Sequence, residues 1–408
     1  MDIIIIGAGA AGCFAGIEVK RLLPEARVTI LERGKRALAK VAITGGGRCN
    51  LTNSFADVRS MDRVYPRGHR LMKKLFYHFS YRDAYQWFED NGVRLVTQDD
   101  ECVFPASQDA MEIVDTLLGR LRESGVRIFT ETSAELIRPL DDGTYAIDTN
   151  RGTLTADRVL VTTGGQPTGS GYAMLRLFDV DIVESRPSLF SFCIDDERLR
   201  ALMGTVVKEA CVSLSGTKLR AEGALLITHW GISGPAVLKL SSYAARTLAD
   251  CNYTGEVAVR WLTDDHESIL DMLTHMADAN RDKHVSSIYP TAFNARLWAH
   301  LLQRSSIATD MRWKDIRNKD LNRLLNVLTN DVYRLTGKNR FKEEFVTSGG
   351  VSLTSLHSAT LEAKHHPGLY FAGEVTDVDA ITGGFNLQAA WTMGYVAANA
   401  MVKNRGEE

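Results

Sequence analysis

Asp2-Ile3-Ile4-Ile5-Ile6-Gly7-Ala8-Gly9-Ala10-Ala11-Gly12 is the stretch that decides the fold. A short, unbroken apolar run is the pattern of a central parallel strand, because helices cover both of its faces. Gly7 permits a tight turn out of that strand, Gly9 lets backbone approach a pyrophosphate, and Gly12 lets the next helix lie against the sheet. That helix is expected from about Ala10 to Leu23, stopped by Pro24. Arg27 to Leu31 reads as the next strand and delivers Glu32 at its carboxyl end, where an acid can accept both hydroxyls of an adenosine ribose. A Gly-rich turn before a packed helix would carry the same glycines. Strand, glycines, helix, strand and terminal acid in this order make the dinucleotide reading the stronger one. The acid suits FAD or NAD rather than NADP.

The chain has 408 residues, which at about 150 per domain implies two or three domains. A net charge of -2 gives no bulk attraction for a polyanion, so nucleic acid is not an expected partner. Arg67, Arg70, Lys73 and Lys74 read as the solvated face of a helix. No stretch is long and apolar enough for a membrane span, and the Ile run is too short for a signal segment. The six cysteines (13, 49, 102, 193, 211 and 251) contain no C-x-x-C pair. This argues against a zinc ribbon, any other metal site and a disulfide scaffold, and places the protein in the reducing cytoplasm. Cys49 has no second cysteine close by, so a flavin-linked dithiol cycle is not expected.

The second unusual stretch is Thr44-Gly45-Gly46-Gly47-Arg48-Cys49-Asn50-Leu51-Thr52-Asn53. Three glycines in a row make a poor helix and a poor strand, but a loop whose N–H groups can face an anion. Arg48 supplies charge and Asn50 a neutral donor. An amphipathic helix is expected over Met72 to Asn91, and short strands at Val93 to Val96 and Glu101 to Phe104. A helix from about Asp109 to Glu123 and a strand at Val126 to Phe129 continue the β-α-β pattern. A meander of three strands follows (Ser133 to Ile137, Thr144 to Thr149, Thr153 to Ala156). Arg158-Val159-Leu160-Val161-Thr162-Thr163-Gly164-Gly165 reads as a further buried strand ending in glycines, a second place where backbone can approach a ligand. Gln166 to Gly171 offers no ribose-binding acid or arginine for a separate nicotinamide site.

After Arg186-Pro187 the pattern becomes β-rich: Leu189 to Ile194, Val206 to Leu214, Lys218 to Ile227 and Glu256 to Leu262 suggest a small barrel. His229, at a turn there, is either structural or a substrate-side acid or base. Ile269, Met272, Leu273 and Met276, then Leu321, Leu324, Leu325 and Leu328, fall at helical spacing and read as core. Met272, Met276 and Trp298 could also line an apolar pocket. A strand from Phe345 to Gly350 and an extended Ala359 to Ala363 return the chain to α/β pattern. Gly368-Leu369-Tyr370-Phe371-Ala372-Gly373-Glu374 reads as a buried strand with an acid at its end. Gly383-Gly384-Phe385-Asn386-Leu387-Gln388 opens a helix to about Met401, whose N-terminus suits an electron-rich ligand.

Together the glycine-rich start, Gly45 to Asn53, Thr228 to Pro235, Leu369 to Val375 and Thr382 to Gln388 resemble the HI0933-like or BaiN-like NAD(P)/FAD-dependent oxidoreductases, flavoproteins with two dinucleotide-binding domains. The resemblance covers nearly the whole chain. It departs from that family's pattern after Gly165, where the Gly/Ser-rich loop is abbreviated to Gln166–Gly171. It implies an α/β, Rossmann-like FAD-binding domain made from both chain ends (1–186 and 337–408), with a β-rich insert (187–262) and a helical insert (263–336). Gly7, Gly9, Gly12, Glu32 and Arg33 would hold the adenosine diphosphate half of FAD. Lys40, Gly47, Arg48, Asn50, Gly373, Glu374, Gly384, Phe385, Asn386, Leu387 and Gln388 would surround the flavin half. Ala10, Ala11, Gly46, Cys49, Thr52, Ala134, Thr163, Gly164, Gly165 and Asp379 complete the candidate cofactor-binding set. Arg48, Cys49 and His229 are the candidate catalytic residues; Cys49 is either flavin-facing or a small buried apolar residue. The implied activity is hydride transfer from NAD(P)H to an organic acceptor such as an activated, enone- or steroid-like C=C bond. The alternatives are a flavoprotein acting on tRNA and a non-catalytic flavin-binding protein.

Overall fold

The computed structural model describes residues 1–339 and 346–403, so Phe345, the expected start of a strand, lies outside them. The chain divides into two compact units, Met1–Pro187 with Glu343–Glu408, and Ser188–Lys342.

The core of the first unit is an all-parallel five-stranded sheet. Its spatial order is Arg127–Phe129, Arg27–Leu31, Asp2–Ile6, Arg158–Val161, Leu369–Phe371. The chain therefore winds outward one way from Asp2–Ile6, then reverses and winds outward the other way. Ligands of doubly wound sheets bind at the carboxyl ends of the strands where that reversal occurs. The pairing of Ile6 with Val161 sets Gly7 beside Thr162 at this point. Ile3 to Ile6 are all buried, as a strand covered on both faces requires.

Helix Ala10–Leu22 packs along helix Phe385–Val402, joining the two ends of the chain. A Cβ on Gly394 would stand 2.7 Å from the Ala11 carbonyl oxygen, so the helices touch through backbone there. The C-terminal helix buries Ala389, Trp391, Met393, Val396, Ala397 and Met401, which lie around most of its circumference. Such a helix is held by tertiary packing rather than by propensity. Burying Met393 and Met401 contributes about 1.5–3 kcal/mol each.

The helix expected over Met72 to Asn91 is two helices, His69–Leu75 and Tyr81–Asp90. Ser80 and Asp83 form a reciprocal capping box that restarts the chain as a new helix. The meander forms a three-stranded antiparallel sheet, Ala134–Pro139, Tyr145–Thr149 and Gly152–Ala156. A further pair joins Ile182–Ser188 to Val346–Val351.

The second unit holds a closed six-stranded barrel: Phe192–Ile194, Gly231–Ser233, Arg220–Thr228, Val206–Leu214, Gly255–Arg260 and Asp331–Lys338. Two of these strands, Gly231–Ser233 and Asp331–Lys338, go beyond the four expected. The first has only three residues, and the second is reached after a long helical excursion, so neither is a local signal. Helices His266–Ala279, Ala295–Arg304 and Asn318–Thr329 make up that excursion. Trp298 is fully buried there, its Nε1 donating to the Val285 carbonyl at 2.8 Å, and belongs to the core. Asp331 ties helix to barrel. It accepts from Trp261 Nε1 at 3.0 Å, from Arg304 Nε at 2.9 Å, and from the Tyr333 hydroxyl. No helix among the described residues is long and apolar enough to cross a membrane.

Candidate functional site

At the sheet's reversal the three glycines of the first loop behave differently. Gly7 has φ +111°, and a Cβ there would overlap the Thr162 carbonyl. Thr162 fixes the turn by donating its hydroxyl to the Gly7 carbonyl at 2.8 Å. A Cβ on Gly12 would overlap the Gly7 carbonyl, so this glycine sets the closeness of helix and strand. A Cβ on Gly9 would meet nothing within 4 Å, so Gly9 borders open space. Helix Ala10–Leu22 begins there with no side-chain cap and no acid in its first turn. The free N–H groups of its first turn, Ala10 and Ala11 among them, are a ready anion site.

Glu32 stands beside this terminus, with Arg33 exposed next to it. Its carboxylate accepts from Ala8 N–H at 3.0 Å and Gly34 N–H at 2.6 Å, which fixes its orientation. Glu131 and Thr132 N–H groups donate to the Gly34 and Glu32 carbonyls at 3.0 and 2.9 Å. The chain leading into Ala134 therefore runs along the Glu32 loop.

Residues 44–50 are the turn that ends helix Ala39–Gly47. The helix is regular to Ile43, then broken by Thr44 (ψ 149°) and by left-handed Gly45 and Gly46 (φ +58° and +68°). Gly47 is also left-handed, and Cβ atoms on Gly46 and Gly47 would meet only open space. Arg48 is exposed; its guanidinium lies 4.4 Å from the Phe104 ring centroid and donates to the Gly45 carbonyl at 3.2 Å. Cys49 is buried with φ +59°. Burial pushes its thiol up to about 12, with the Thr44 hydrogen bond only partly offsetting the effect. At neutral pH it is a thiol, not a thiolate. Alkylation of the native protein at pH 8 is therefore expected to label exposed Cys251 and leave Cys49 unmodified, read by peptide mass spectrometry. Labelling of Cys49 at the rate of Cys251 would contradict this.

The loop is stapled to the C-terminal helix, more than 300 residues away in sequence. The Asn50 amide donates to the Thr52 carbonyl at 2.9 Å and accepts from Gly384 N–H at 3.3 Å. Thr52 Oγ1 donates to Gln388 Oε1 at 2.6 Å, Gln388 Nε2 to Thr392 Oγ1 at 3.0 Å, and Thr392 to the Phe79 carbonyl at 2.9 Å. Trp391 Nε1 donates to the Leu51 carbonyl at 2.9 Å. Asn386 turns back on its own loop, accepting from Ala380 N–H and donating to the Ala380 carbonyl. Phe385 is buried against Phe55, with ring centroids 5.1 Å apart. The side chains of Phe385, Asn386 and Gln388 are thus engaged within the protein. What the helix start offers is backbone N–H, since Gly384 provides no side-chain cap, together with half-buried Leu387.

Gly373 (φ +78°) brings the last sheet strand against the first helix; its Cβ would be 3.1 Å from that of Ala11. Glu374 accepts from Thr347 N–H at 2.8 Å and pairs with Lys40 Nζ at 3.4 Å. A Cβ on Gly165 would lie 2.6 Å from Glu374 Oε1, so Gly164 and Gly165 lie close under this carboxylate. Among the described residues the buried Thr163 hydroxyl has no hydrogen-bond partner. Asp379 is buried in an ion pair with Arg67. Gly7–Gly12, Lys40–Thr52, Thr163–Gly165 and Gly373–Gln388 therefore converge within one unit. His229 is not among them: it is exposed on a turn of the Ser188–Lys342 unit, its ring centroid 4.4 Å from that of Trp230.

Sequence reading missed Thr162, Thr347 and Arg67. Thr162 directly follows a buried strand and precedes two glycines, a usable signal. Thr347 acts through backbone and Arg67 through a partner far along the chain, so neither had one. The open space at Gly9 and at Gly46 and Gly47, two uncapped helix starts and the unpartnered Thr163 hydroxyl fit a dinucleotide with an anionic pyrophosphate.

The family model described as the HI0933-like protein Rossmann domain matches residues 1–400. A protein of Escherichia coli K12 named ribosomal RNA dihydrouridine synthase is 30% identical, over 98% of this chain and 98% of that protein. A Clostridium scindens protein named 3-dehydro-bile acid delta(4,6)-reductase is 29% identical, over 97% and 98%. Among solved structures, a 3-ketosteroid-delta4-(5alpha)-dehydrogenase from Rhodococcus jostii RHA1 shares the fold at TM-score 0.53 and 16% identity, covering 99% of this chain and 97% of that one. The chain belongs to the HI0933-like family, with the Rossmann-type FAD-binding fold of FAD-dependent oxidoreductases.

Proposed function

We propose that this protein reduces a carbon–carbon double bond conjugated to a carbonyl, drawing electrons from NAD(P)H through one FAD. The observation that carries the reading is the joining of loop 44–52 to the start of helix Phe385–Val402, which makes one cradle of both chain ends. Two similar proteins bear names consistent with such chemistry. A Δ4,6 bile-acid double bond conjugated to a 3-ketone is an activated alkene. Dihydrouridine is uridine saturated at C5=C6, a bond conjugated to the C4 carbonyl.

Bound FAD supplies the redox step, accepting two electrons from NAD(P)H and returning them as hydride to the carbon β to the carbonyl. Balance then requires a proton at the α carbon and donors for the charge that develops on the carbonyl oxygen. The free N–H groups after Gly9 would hold the pyrophosphate, and Glu32 the adenosine ribose. Lys40, Gly373 and Glu374 would hold the linking polyol. The N–H groups after Gly384 and the Arg48 guanidinium would favour the electron-rich, reduced form.

Gly9→Val is expected to leave folding intact and weaken FAD uptake roughly tenfold or more, because its side chain enters the open space rather than the protein. Fluorescence titration of FAD into the apo-protein, with circular dichroism as the folding control, reads both. Unchanged FAD affinity would count against the cradle.

A second reading, reduction of uracil in RNA, draws on the charge distribution. Residues 188–342 carry 21 Lys and Arg against 17 Asp and Glu, although the whole chain is net -2. The acid excess therefore lies in the FAD-binding unit, and net charge is no argument against RNA at the other unit. Anaerobic stopped-flow mixing separates the readings. Bleaching by NADH or NADPH, followed by recovery of the flavin absorbance on adding an enone steroid, supports the first. Recovery only with uridine-containing RNA supports the second. No bleaching by either nucleotide would rule out a nicotinamide-linked enzyme.

A further inference from the structure

The barrel unit carries a cavity of about 180 Å³ lined by Cys211, Ser213, Arg220, Glu222, Arg260 and Thr329 among others. Alternation along the strands puts it on the outer face: Val212, Ala221, Val257 and Val259 point into the barrel and are buried. The register lays the lining out as two adjacent rows. Cys211 faces Glu222 across one neighbouring strand and Arg260 across the other; Ser213 faces Arg220 and Ala258. Two arginines thus flank a small polar floor from opposite strands, with one carboxylate beside them. Arg260 is held in place, its Nε donating to the Leu262 carbonyl at 3.0 Å and its Nη2 to that of Asp264. Among the described residues, the side chains of Arg220 and Glu222 make no ion pair or hydrogen bond. An exposed Arg and Glu two residues apart on one strand face, beside a second, anchored Arg, present two positive charges and one negative charge to a ligand in the groove.

We propose that this cavity binds a phosphorylated ribose, the phosphate between Arg220 and Arg260 and a ribose hydroxyl donating to Glu222. Guanidinium groups recognise phosphate oxygens through paired N–H donors, and a carboxylate is the usual acceptor for ribose hydroxyls. Glu222 selects against a bare anion, which it repels, and for an anion with a hydroxyl attached. The volume holds one ribose-phosphate rather than a whole dinucleotide, since drug-sized pockets start at about 300 Å³. Two sources share this chemistry: the 2′-phosphoadenosine end of NADPH and the backbone of RNA. The site lies in the Ser188–Lys342 unit and uses no residue of the FAD cradle, so it stands apart from FAD binding; it rests on the proposed function only in that NADPH would be the electron donor and RNA the acceptor of that reaction.

The test is calorimetric titration of the FAD-loaded protein with inorganic phosphate, adenosine 2′-monophosphate and a uridine pentanucleotide. Wild type is expected to bind at least one ribose-phosphate tighter than inorganic phosphate. Arg220→Gln is expected to weaken that binding about tenfold, and Glu222→Gln to abolish the preference over phosphate, with FAD content and thermal unfolding unchanged. Binding of adenosine 2′-monophosphate alone names NADPH as the source; binding of the pentanucleotide alone names RNA. Affinity unchanged in Arg220→Gln, or no binding of any probe at millimolar concentration, would overturn the assignment. Neither result would bear on FAD binding or on flavin reduction by NADH, which the FAD titration and the stopped-flow experiment read separately.

Discussion

Gly384→Ala is expected to yield a protein that is purified almost free of FAD. Gly384 has φ +87°, and a Cβ there would overlap the Thr52 carbonyl. The left-handed strain alone costs about 1–2 kcal/mol. The overlap is with backbone, so loop 44–52 and the helix start must separate, and the total loss reaches about 2–4 kcal/mol. Separation also breaks the Asn50–Gly384 and Thr52–Gln388 hydrogen bonds that hold the two chain ends in register. Gly92→Ala is the matched control, because Gly92 has the same φ of +87°, faces open space, and follows helix Tyr81–Asp90 outside the candidate cofactor set. It is expected to cost only the strain. The measurement is FAD per chain after gel filtration, with the unfolding midpoint in urea. Equal losses in the two variants would mean that strain, not closure of the cradle, determines FAD retention.

Asp331→Ala is expected to produce the largest loss of stability in the barrel unit, about 3–5 kcal/mol. Asp331 is buried and is the shared acceptor for Trp261, Arg304 and Tyr333, so its removal takes an acceptor from all three at once and leaves the buried Trp261 N–H unmatched. His300, whose Nε2 lies 3.2 Å from the Tyr333 hydroxyl, belongs to the same cluster. Burial, outweighing the pull of Asp331, pushes its imidazole below the ordinary value. The folded state then binds fewer protons there than the unfolded chain. This contribution is complete above the ordinary histidine pKa of about 6.5 and is lost as pH falls below it. Urea unfolding at pH 7.5 and pH 5.5 checks both statements. His300→Gln is expected to flatten that pH dependence. A stability change in Asp331→Ala below 1 kcal/mol would show that the cluster behaves like an exposed ion pair.

The parts of this protein legible in its sequence are those whose signal is local. Ile3 to Ile6, Val159 to Val161 and Leu369 to Phe371 are continuous apolar runs, and each is a buried strand of the parallel sheet. The glycines after the first and fourth strands mark the point where the winding reverses. The capping box at Ser80 and Asp83 was equally local, and was masked by the amphipathic spacing of Leu75, Phe79 and Phe88 on either side of it. Other features had no local signal. The strand Asp331–Lys338 alternates buried and exposed residues but closes a barrel begun more than 130 residues earlier. Lys40 meets Glu374 and Arg67 meets Asp379 only because the first and last segments share one sheet. Asn386 and Gln388 sit in a glycine-rich motif, yet their side chains serve the cradle wall, a division of labour between side chain and backbone that no spacing encodes. Net charge is non-local in the same way: a sum over the whole chain hides opposite signs in its two units.

The most direct test of the account is a titration of FAD into the apo-protein, followed by flavin fluorescence, for wild type, Gly9→Val and Gly384→Ala. One FAD per chain on a single isotherm, weakened by both substitutions although they lie at opposite ends of the sequence, is the predicted result. An isotherm that responds only to the N-terminal substitution, or a protein that takes up no FAD, would contradict it.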